Sequence, residues 1–140
     1  MKKLILILSF FITTSYSQNI AYDFTFIDAE DVGAYDRNLK SKFQKVNQAY
    51  IDAGLILGWH VWKVVNGPQF PYTHLAVAVY DIDNANEQPE APKWTDLFPD
   101  LTEEELEDWG EKNAKNRKIV FTTQMKNVAE VLQKGVTSYP

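Results

Sequence analysis

The sequence contains no cysteine and only two histidines, His60 and His74, among its 140 residues. A chain without cysteine can form neither a disulfide nor a thiolate metal site, and it has no thiol nucleophile. Basic residues are also few, because 14 lysines and arginines face 19 acidic residues and leave a formal charge of −5. An acidic chain repels phosphate backbones and anionic lipids, so no nucleic acid is expected as a partner, and no membrane after export.

Long hydrophobic runs are absent apart from one near the N-terminus, residues 4–12. That run follows two lysines and is shorter than the roughly 20 residues that a bilayer-spanning helix needs. Ser15 and Ser17 are small residues at the spacing that precedes signal-peptide cleavage. We therefore expect residues 1–17 to be a cleaved signal peptide and the mature protein to be periplasmic or secreted. Cleavage removes the two lysines, which lowers the formal charge from −5 to −7.

The remaining residues, 18–140, are predicted to form a single α+β domain. Alternating or continuous apolar residues indicate strands at 21–27, 55–65, 72–82 and 118–126. On the last of these, Ile119, Phe121, Thr123 and Met125 are predicted to share one face.

A long helix is predicted over residues 31–53, because apolar residues recur there at steps of three or four. Asp28 or Asp31 can cap its start, and Gly54 can end it. Its apolar stripe consists of Val32, Tyr35, Leu39, Phe43, Val46, Tyr50 and Ala53.

A second helix, of about fourteen residues, is predicted to open at Thr102, because Glu105 completes a capping box with it. It lies in an acidic segment, residues 81–111, which holds twelve acidic residues and the single basic residue Lys93. The stretch DIDNANE within this segment departs from a calcium-binding loop, since Ala85 stands where an oxygen ligand belongs. The segment is either a solvated surface or a recognition surface for a basic partner.

The order of these elements, βαββαβ, predicts a ferredoxin-like fold with a four-stranded antiparallel sheet. Both faces of the second and third strands are largely apolar, whereas a sheet with one wet face alternates apolar and polar residues. Helices cover one face, so we expect a second subunit to cover the other and the protein to be a homodimer.

A ligand pocket is predicted beside His60. If paired residues of the hairpin sum to about 138, His60 and His74 share a face and stand roughly 13 Å apart, too far to bind one metal ion together. Alanines beside large rings on that face leave room for a small apolar ligand. His60 and Tyr80 are the candidate acid–base residues; no metal or cofactor is predicted. The predicted pocket consists of His60, Trp62, His74, Ala76, Ala78, Tyr80 and Asp23.

The stretch KVNQAYIDAGLILGWHVWKV, residues 45–64, followed by THLAVAVYD, residues 73–81, resembles small NIPSNAP-like and antibiotic-biosynthesis-monooxygenase-like domains. These belong to the dimeric α/β-barrel superfamily. The resemblance covers roughly residues 20–130 and implies that two ferredoxin-like subunits pack sheet on sheet. Because members of that superfamily include cofactor-free monooxygenases as well as proteins without known chemistry, the resemblance implies a fold and leaves the activity open.

Three functions are compatible with these features. The first is an exported, dimeric, non-enzymatic domain that binds a small apolar ligand between helices and sheet. The second is a monooxygenase-like enzyme acting on an aromatic or quinone-like substrate, in which His60 or Tyr80 assists proton transfer. The third is an interaction module that uses the acidic segment. In the simplest alternative for His60, it is packed in the sheet and has no chemical role.

Overall fold

A computed structural model of the protein describes residues 19–65, 70–83, 89–126 and 128. The predicted signal peptide and part of the acidic segment lie outside these described residues. Within them, no helix has the length and apolar character needed to cross a membrane.

The domain is a four-stranded antiparallel sheet with helices packed on one face. The strand order is β2-β3-β1-β4, which is the order of a ferredoxin-like fold and confirms the predicted α+β class. The elements, in chain order, are β1 Ile20–Ala29, α1 Val32–Asn38, a π-helical segment Leu39–Phe43, α2 Gln44–Asp52, β2 Gly58–Lys63, β3 His74–Asp81, α3 Trp94–Leu97, α4 Glu103–Lys115 and β4 Arg117–Lys126.

The helix boundaries lie where capping chemistry places them. We call α1, the π-helical segment and α2 together the first helix. The Asp31 carboxylate accepts the Ala34 N–H at 2.9 Å, so Asp31 rather than Asp28 caps the first helix. Gly54 follows that helix with φ of 75°, a left-handed conformation that glycine adopts without steric cost. Thr102 and Glu105 form the predicted capping box at the start of α4.

The first helix packs its apolar stripe along the sheet and against α4. Near the start of the helix, Tyr35 is buried with Ile27 and Ala29 of β1. Further along, Val46 is buried with Leu106 of α4 and Phe98, which follows α3. The stripe predicted from spacing therefore connects both clusters of the core. The π segment interrupts it in the middle, and π segments within α-helices are often found at functional sites.

The register of the β2–β3 hairpin differs by one residue from the prediction. His60 is opposite Val77, and Lys63 is opposite His74. Residues directly opposite each other lie on the same face of a sheet, and a shift of one residue moves every side chain to the other face. The prediction that His60 and His74 share a face is therefore wrong.

The two faces now have different members from those predicted. Trp59 and Val61 of β2 share the helix-covered face with His74, Ala76, Ala78 and Tyr80 of β3. The other face, which we call the open face, carries His60 and Trp62 together with Leu75, Val77 and Val79. Phenylalanines and a methionine of β1 and β4 extend it: Phe24, Phe26, Phe121 and Met125.

An irregularity in β4 corrects a second prediction. Phe121 pairs with Phe26, but Ile119 pairs with Ile27, so Val120 is an extra residue between them. This β-bulge places Ile119 on the helix-covered face and Phe121 on the open face. The four alternating residues of this strand therefore do not all share one face, as the sequence pattern predicted.

Thr73 fixes the position of β3 against both neighbouring strands. Its N–H donates to the Ile27 carbonyl at 2.8 Å, and its own carbonyl accepts the Val64 N–H at 2.9 Å. Its hydroxyl oxygen accepts the Ala29 N–H at 2.9 Å. One residue thus connects β1, β2 and β3 at the end of the hairpin where β3 begins.

Replacing Thr73 with valine is expected to lower the free energy of unfolding by about 1–3 kcal/mol. The substitution keeps the shape of the side chain but leaves the buried Ala29 N–H without an acceptor. Urea denaturation followed by circular dichroism measures the change. Thr122→Val is the matched control, since Thr122 is exposed on β4, and it is expected to change stability by less than about 0.5 kcal/mol. Equal effects for the two variants would contradict this role of Thr73.

Candidate functional site

A groove of about 550 Å³ runs between the first helix and β2, which is an edge strand of the sheet. We call it the outer groove. Its wall combines aromatic and aliphatic side chains with amides and charged groups, a mixture typical of ligand sites. The lining residues are Asp36, Leu39, Lys40, Gln44, Asn47, Gln48, Ile51, Trp59, His60, Val61, Trp62, Lys63 and His74.

A charged cluster stands at one end of the outer groove. The Asp36 carboxylate accepts from Lys63 Nζ at 2.8 Å and lies 2.9 Å from His74 Nε2. The Lys63 hydrogen bond is the largest influence holding the pKa of Asp36 below its usual value, and the His74 contact acts in the same direction. Because an ionised carboxylate only accepts hydrogen bonds, His74 Nε2 carries the proton in this contact.

The ring of His74 is almost completely buried and is held at both nitrogens. Its Nδ1 lies 2.9 Å from the Thr73 hydroxyl oxygen, and its ring makes a T-shaped contact with the Tyr35 ring at a centroid distance of 4.9 Å. The order carboxylate, imidazole, hydroxyl resembles that of a hydrolase triad. Here, however, the Thr73 hydroxyl already accepts the Ala29 N–H and lies 3.2 Å from the Ile27 carbonyl. The arrangement therefore connects strands and gives no free nucleophile.

A second cavity, of about 340 Å³, lies between the first helix and the sheet. We call it the inner cavity. Leu39 and Phe43, which bound the π segment, line it from the helix side, and Ala76 and Trp59 line it from the sheet. The full lining consists of Thr25, Ile27, Tyr35, Leu39, Phe43, Val46, Asn47, Tyr50, Trp59, Ala76, Trp94, Arg117 and Ile119. Because Leu39, Asn47 and Trp59 also line the outer groove, the two spaces share a wall.

Arg117 is the charged residue in the lining of the inner cavity. Its guanidinium carbon lies 5.5 Å from the centre of the Phe43 ring, within the range of a cation–π interaction. Its Nη1 donates to the Tyr35 hydroxyl at 3.4 Å. None of the ion pairs found among the described residues includes Arg117.

The residues of the predicted pocket lie in several places. His60, Trp62 and His74 line the outer groove, and Ala76 lines the inner cavity. Ala78, Tyr80 and Asp23 line neither. Asp23 instead accepts a hydrogen bond from Gln124 at 2.7 Å. Burial, with a smaller contribution from Asp23, raises the pKa of Tyr80 above its usual value.

The two candidate acid–base residues are separated by the sheet. His60 is on the open face, where its ring stacks on Trp62 at a centroid distance of 5.6 Å. Tyr80 is on the helix-covered face. The two side chains therefore cannot act together on one molecule bound at either face.

Sequence reasoning missed most of the inner cavity. Trp59 is absent from the predicted pocket because a register sum of 138 places it on the face opposite His74, whereas the observed register places both residues on one face. Tyr35 and Phe43 were recognised as parts of an apolar stripe, but periodicity does not show that the stripe leaves a space beneath it. Arg117 stands next to Lys118 at a helix-to-strand junction, where basic residues usually face solvent. Because β4 also contains Lys118, Gln124 and Lys126, the sequence gives no signal that distinguishes Arg117 from a surface residue.

Comparison with known proteins assigns no family to this chain. No protein-family model matches the sequence, and no curated protein matches it. Among solved structures, the protein is similar to HapK from Hahella chejuensis, with 10% sequence identity and a TM-score of 0.47. The match covers 82% of this chain and 99% of that chain.

Replacing Asp36 with asparagine is expected to lower the free energy of unfolding by about 1–2 kcal/mol at pH 7, because two charge-assisted hydrogen bonds are lost from a partly exposed site. The folded-state pKa of Asp36 is depressed. Its stabilisation is therefore fully present above the unfolded-state value of about 4 and disappears as the pH falls below it.

Urea denaturation of both proteins between pH 3 and pH 7 measures this difference, which should shrink below about pH 4. Asp108→Asn is the control, because Asp108 is exposed and pairs with Lys112 one turn along α4. It is expected to cost about 0.5 kcal/mol or less. A difference between wild type and Asp36→Asn that grows as the pH falls would contradict the assignment.

Proposed function

We propose that the protein is an exported, dimeric binding protein that holds a small, largely apolar molecule in the inner cavity. The observation that carries the proposal is a space of about 340 Å³ between the first helix and the sheet, partly open to solvent and lined in part by aromatic rings. It lies within the range of small-molecule sites.

The size and lining of the cavity indicate the shape of the ligand. A cavity of about 150 Å³ lined by apolar side chains accepts one benzene ring. A space of about 340 Å³ therefore has room for two fused rings. Phe43, Trp94 and Trp59 offer faces and edges to such a body, and flat aromatic ligands gain most from contacts of this kind.

Dimerisation is proposed from the open face of the sheet. Trp62, Phe121 and Met125 are each nearly half exposed there, and the rings of Phe26 and Phe121 stack with centroids 4.0 Å apart. A contiguous apolar surface of this kind is normally covered by another protein surface. A second copy of the same face is self-complementary and provides that cover.

The other two functions have less support. Neither His60 nor Tyr80 lines the inner cavity, so no observation favours a monooxygenase-like function in which one of them assists proton transfer there. Part of the acidic segment also has local roles in α4. Glu105 completes the cap, and Asp108 and Glu111 pair with Lys112 and Lys115 one turn later. Export remains a prediction from residues 1–17.

Filling the inner cavity is expected to abolish binding of a neutral two-ring compound. Isothermal titration calorimetry with 2-naphthamide should show binding to the wild-type protein. Ala76→Phe places a ring in the cavity and should lower the affinity at least tenfold. Ala78→Phe is the matched control, since Ala78 lies two residues further on the same strand and face but does not line the cavity. It should leave the affinity within about twofold.

Two outcomes would contradict the proposed binding site. One is an absence of any heat of binding with the folded wild-type protein. The other is an Ala76→Phe protein that binds as tightly as wild type. Circular dichroism melts of each variant establish that it is folded before binding is compared.

A charge on the open face is expected to convert the dimer into monomers. Native mass spectrometry of the protein purified from an export-competent host should give a dimer mass for wild type and a monomer mass for Phe121→Asp. Thr122→Asp is the control, because Thr122 is the next residue on β4, is exposed and points to the opposite face. A wild-type monomer, or a Phe121→Asp dimer, would contradict the proposed interface.

A further inference from the structure

Two hydroxyl groups of the inner cavity, those of Tyr35 and Thr25, donate to no acceptor among the described residues. The Tyr35 hydroxyl accepts from Arg117, but no described group accepts the proton of this phenol, and Tyr35 is 1% exposed. The Thr25 hydroxyl also lines the cavity and makes no side-chain hydrogen bond with the described residues. The Tyr35 phenol therefore has a proton that a bound ligand can accept.

The charge of the cavity is also unbalanced. Arg117 is charged, whereas no aspartate or glutamate belongs to the lining. Asp28 and Glu30 line a neighbouring cavity together with Arg117, yet no described carboxylate is within 4 Å of its guanidinium nitrogens. A guanidinium that is turned into a cavity normally pairs with an anion, because its fork of donors matches carboxylate geometry.

We propose that the ligand of the inner cavity is an aromatic carboxylate, whose acid group binds Arg117 and the Tyr35 hydroxyl. This inference rests on the proposed binding function and adds the class of ligand. The guanidinium donates to the carboxylate oxygens, and the phenol donates its free proton to the same group. The rings of Phe43, Trp94 and Trp59 contact the apolar body.

Phe43 fixes where the acid group binds. Its ring supports the guanidinium of Arg117 by a cation–π contact and also lines the cavity. The Arg117 side chain is thereby held in place before a ligand arrives. Holding a long, flexible side chain in its binding conformation lowers the entropy cost of forming the ion pair.

The test compares 2-naphthoate with 2-naphthamide, a neutral compound of nearly the same shape, by isothermal titration calorimetry at pH 7. Wild-type protein is expected to bind the carboxylate at least tenfold more tightly than the amide. Arg117→Met should remove this preference, so that the two compounds bind with affinities within about twofold of each other. Arg117→Lys keeps the charge without the fork of donors, and it should retain only part of the preference.

Arg37→Met is the matched control, because Arg37 and Arg117 are the two arginines of the chain and Arg37 is exposed on α1. It changes the net charge equally and should keep the full preference for the carboxylate. A loss of preference in Arg37→Met equal to that in Arg117→Met would overturn the inference, since net charge would then explain the result.

The outcomes for wild-type protein separate this inference from the proposed function. Equal affinity for the two compounds would overturn the carboxylate inference and leave the binding cavity intact. An absence of binding by either compound would overturn both. The wild-type comparison decides the inference even if Arg117→Met does not fold.

Discussion

The register of the β2–β3 hairpin is the constraint on which the site depends. Thr73 sets it by joining β3 to β1 and β2 through backbone and hydroxyl hydrogen bonds. Because side chains alternate along a strand, this one setting decides that Trp59 faces the helices and Trp62 does not. A shift of one residue would place His60 and Trp62 under the first helix and expose Trp59. The inner cavity would then lose an aromatic wall.

The sheet is apolar on both faces, but the two faces differ in the size of the apolar side chains that they carry. On one face, large helix residues such as Tyr35 and Phe43 meet small sheet residues such as Ala76, and the mismatch in size leaves the inner cavity. On the open face, Phe26, Phe121 and their neighbours are large and pack against each other. A surface of stacked rings leaves little internal space and suits association with another surface. The same composition thus supports a cavity on one side and an interface on the other.

Much of the fold could be predicted from the sequence, because local chemistry fixes it. Asp31, Gly54 and Thr102 mark helix boundaries through capping and backbone conformation, which depend only on neighbouring residues. The site could not be predicted in the same way. The hairpin register depends on hydrogen bonds that Thr73 makes to a strand more than forty residues away. The bulge that places Ile119 on the helix-covered face depends on β1, and the position of Arg117 beside the inner cavity depends on its contact with Phe43.

The net charge of the protein is negative, whereas the charge of its cavity is positive. A small anion can still bind, because the two charges act over different distances. The formal charge of −5 repels an anionic ligand at long range, but salt screens such repulsion within about 8 Å at physiological ionic strength. Inside the cavity, screening is weaker and a guanidinium at contact distance dominates. Lys40 and Lys63 line the adjoining outer groove, so the local surroundings are less acidic than the whole chain. The negative net charge therefore repels an extended polyanion such as a nucleic acid more strongly than a small carboxylate, because only the polyanion interacts with charges over the whole protein surface.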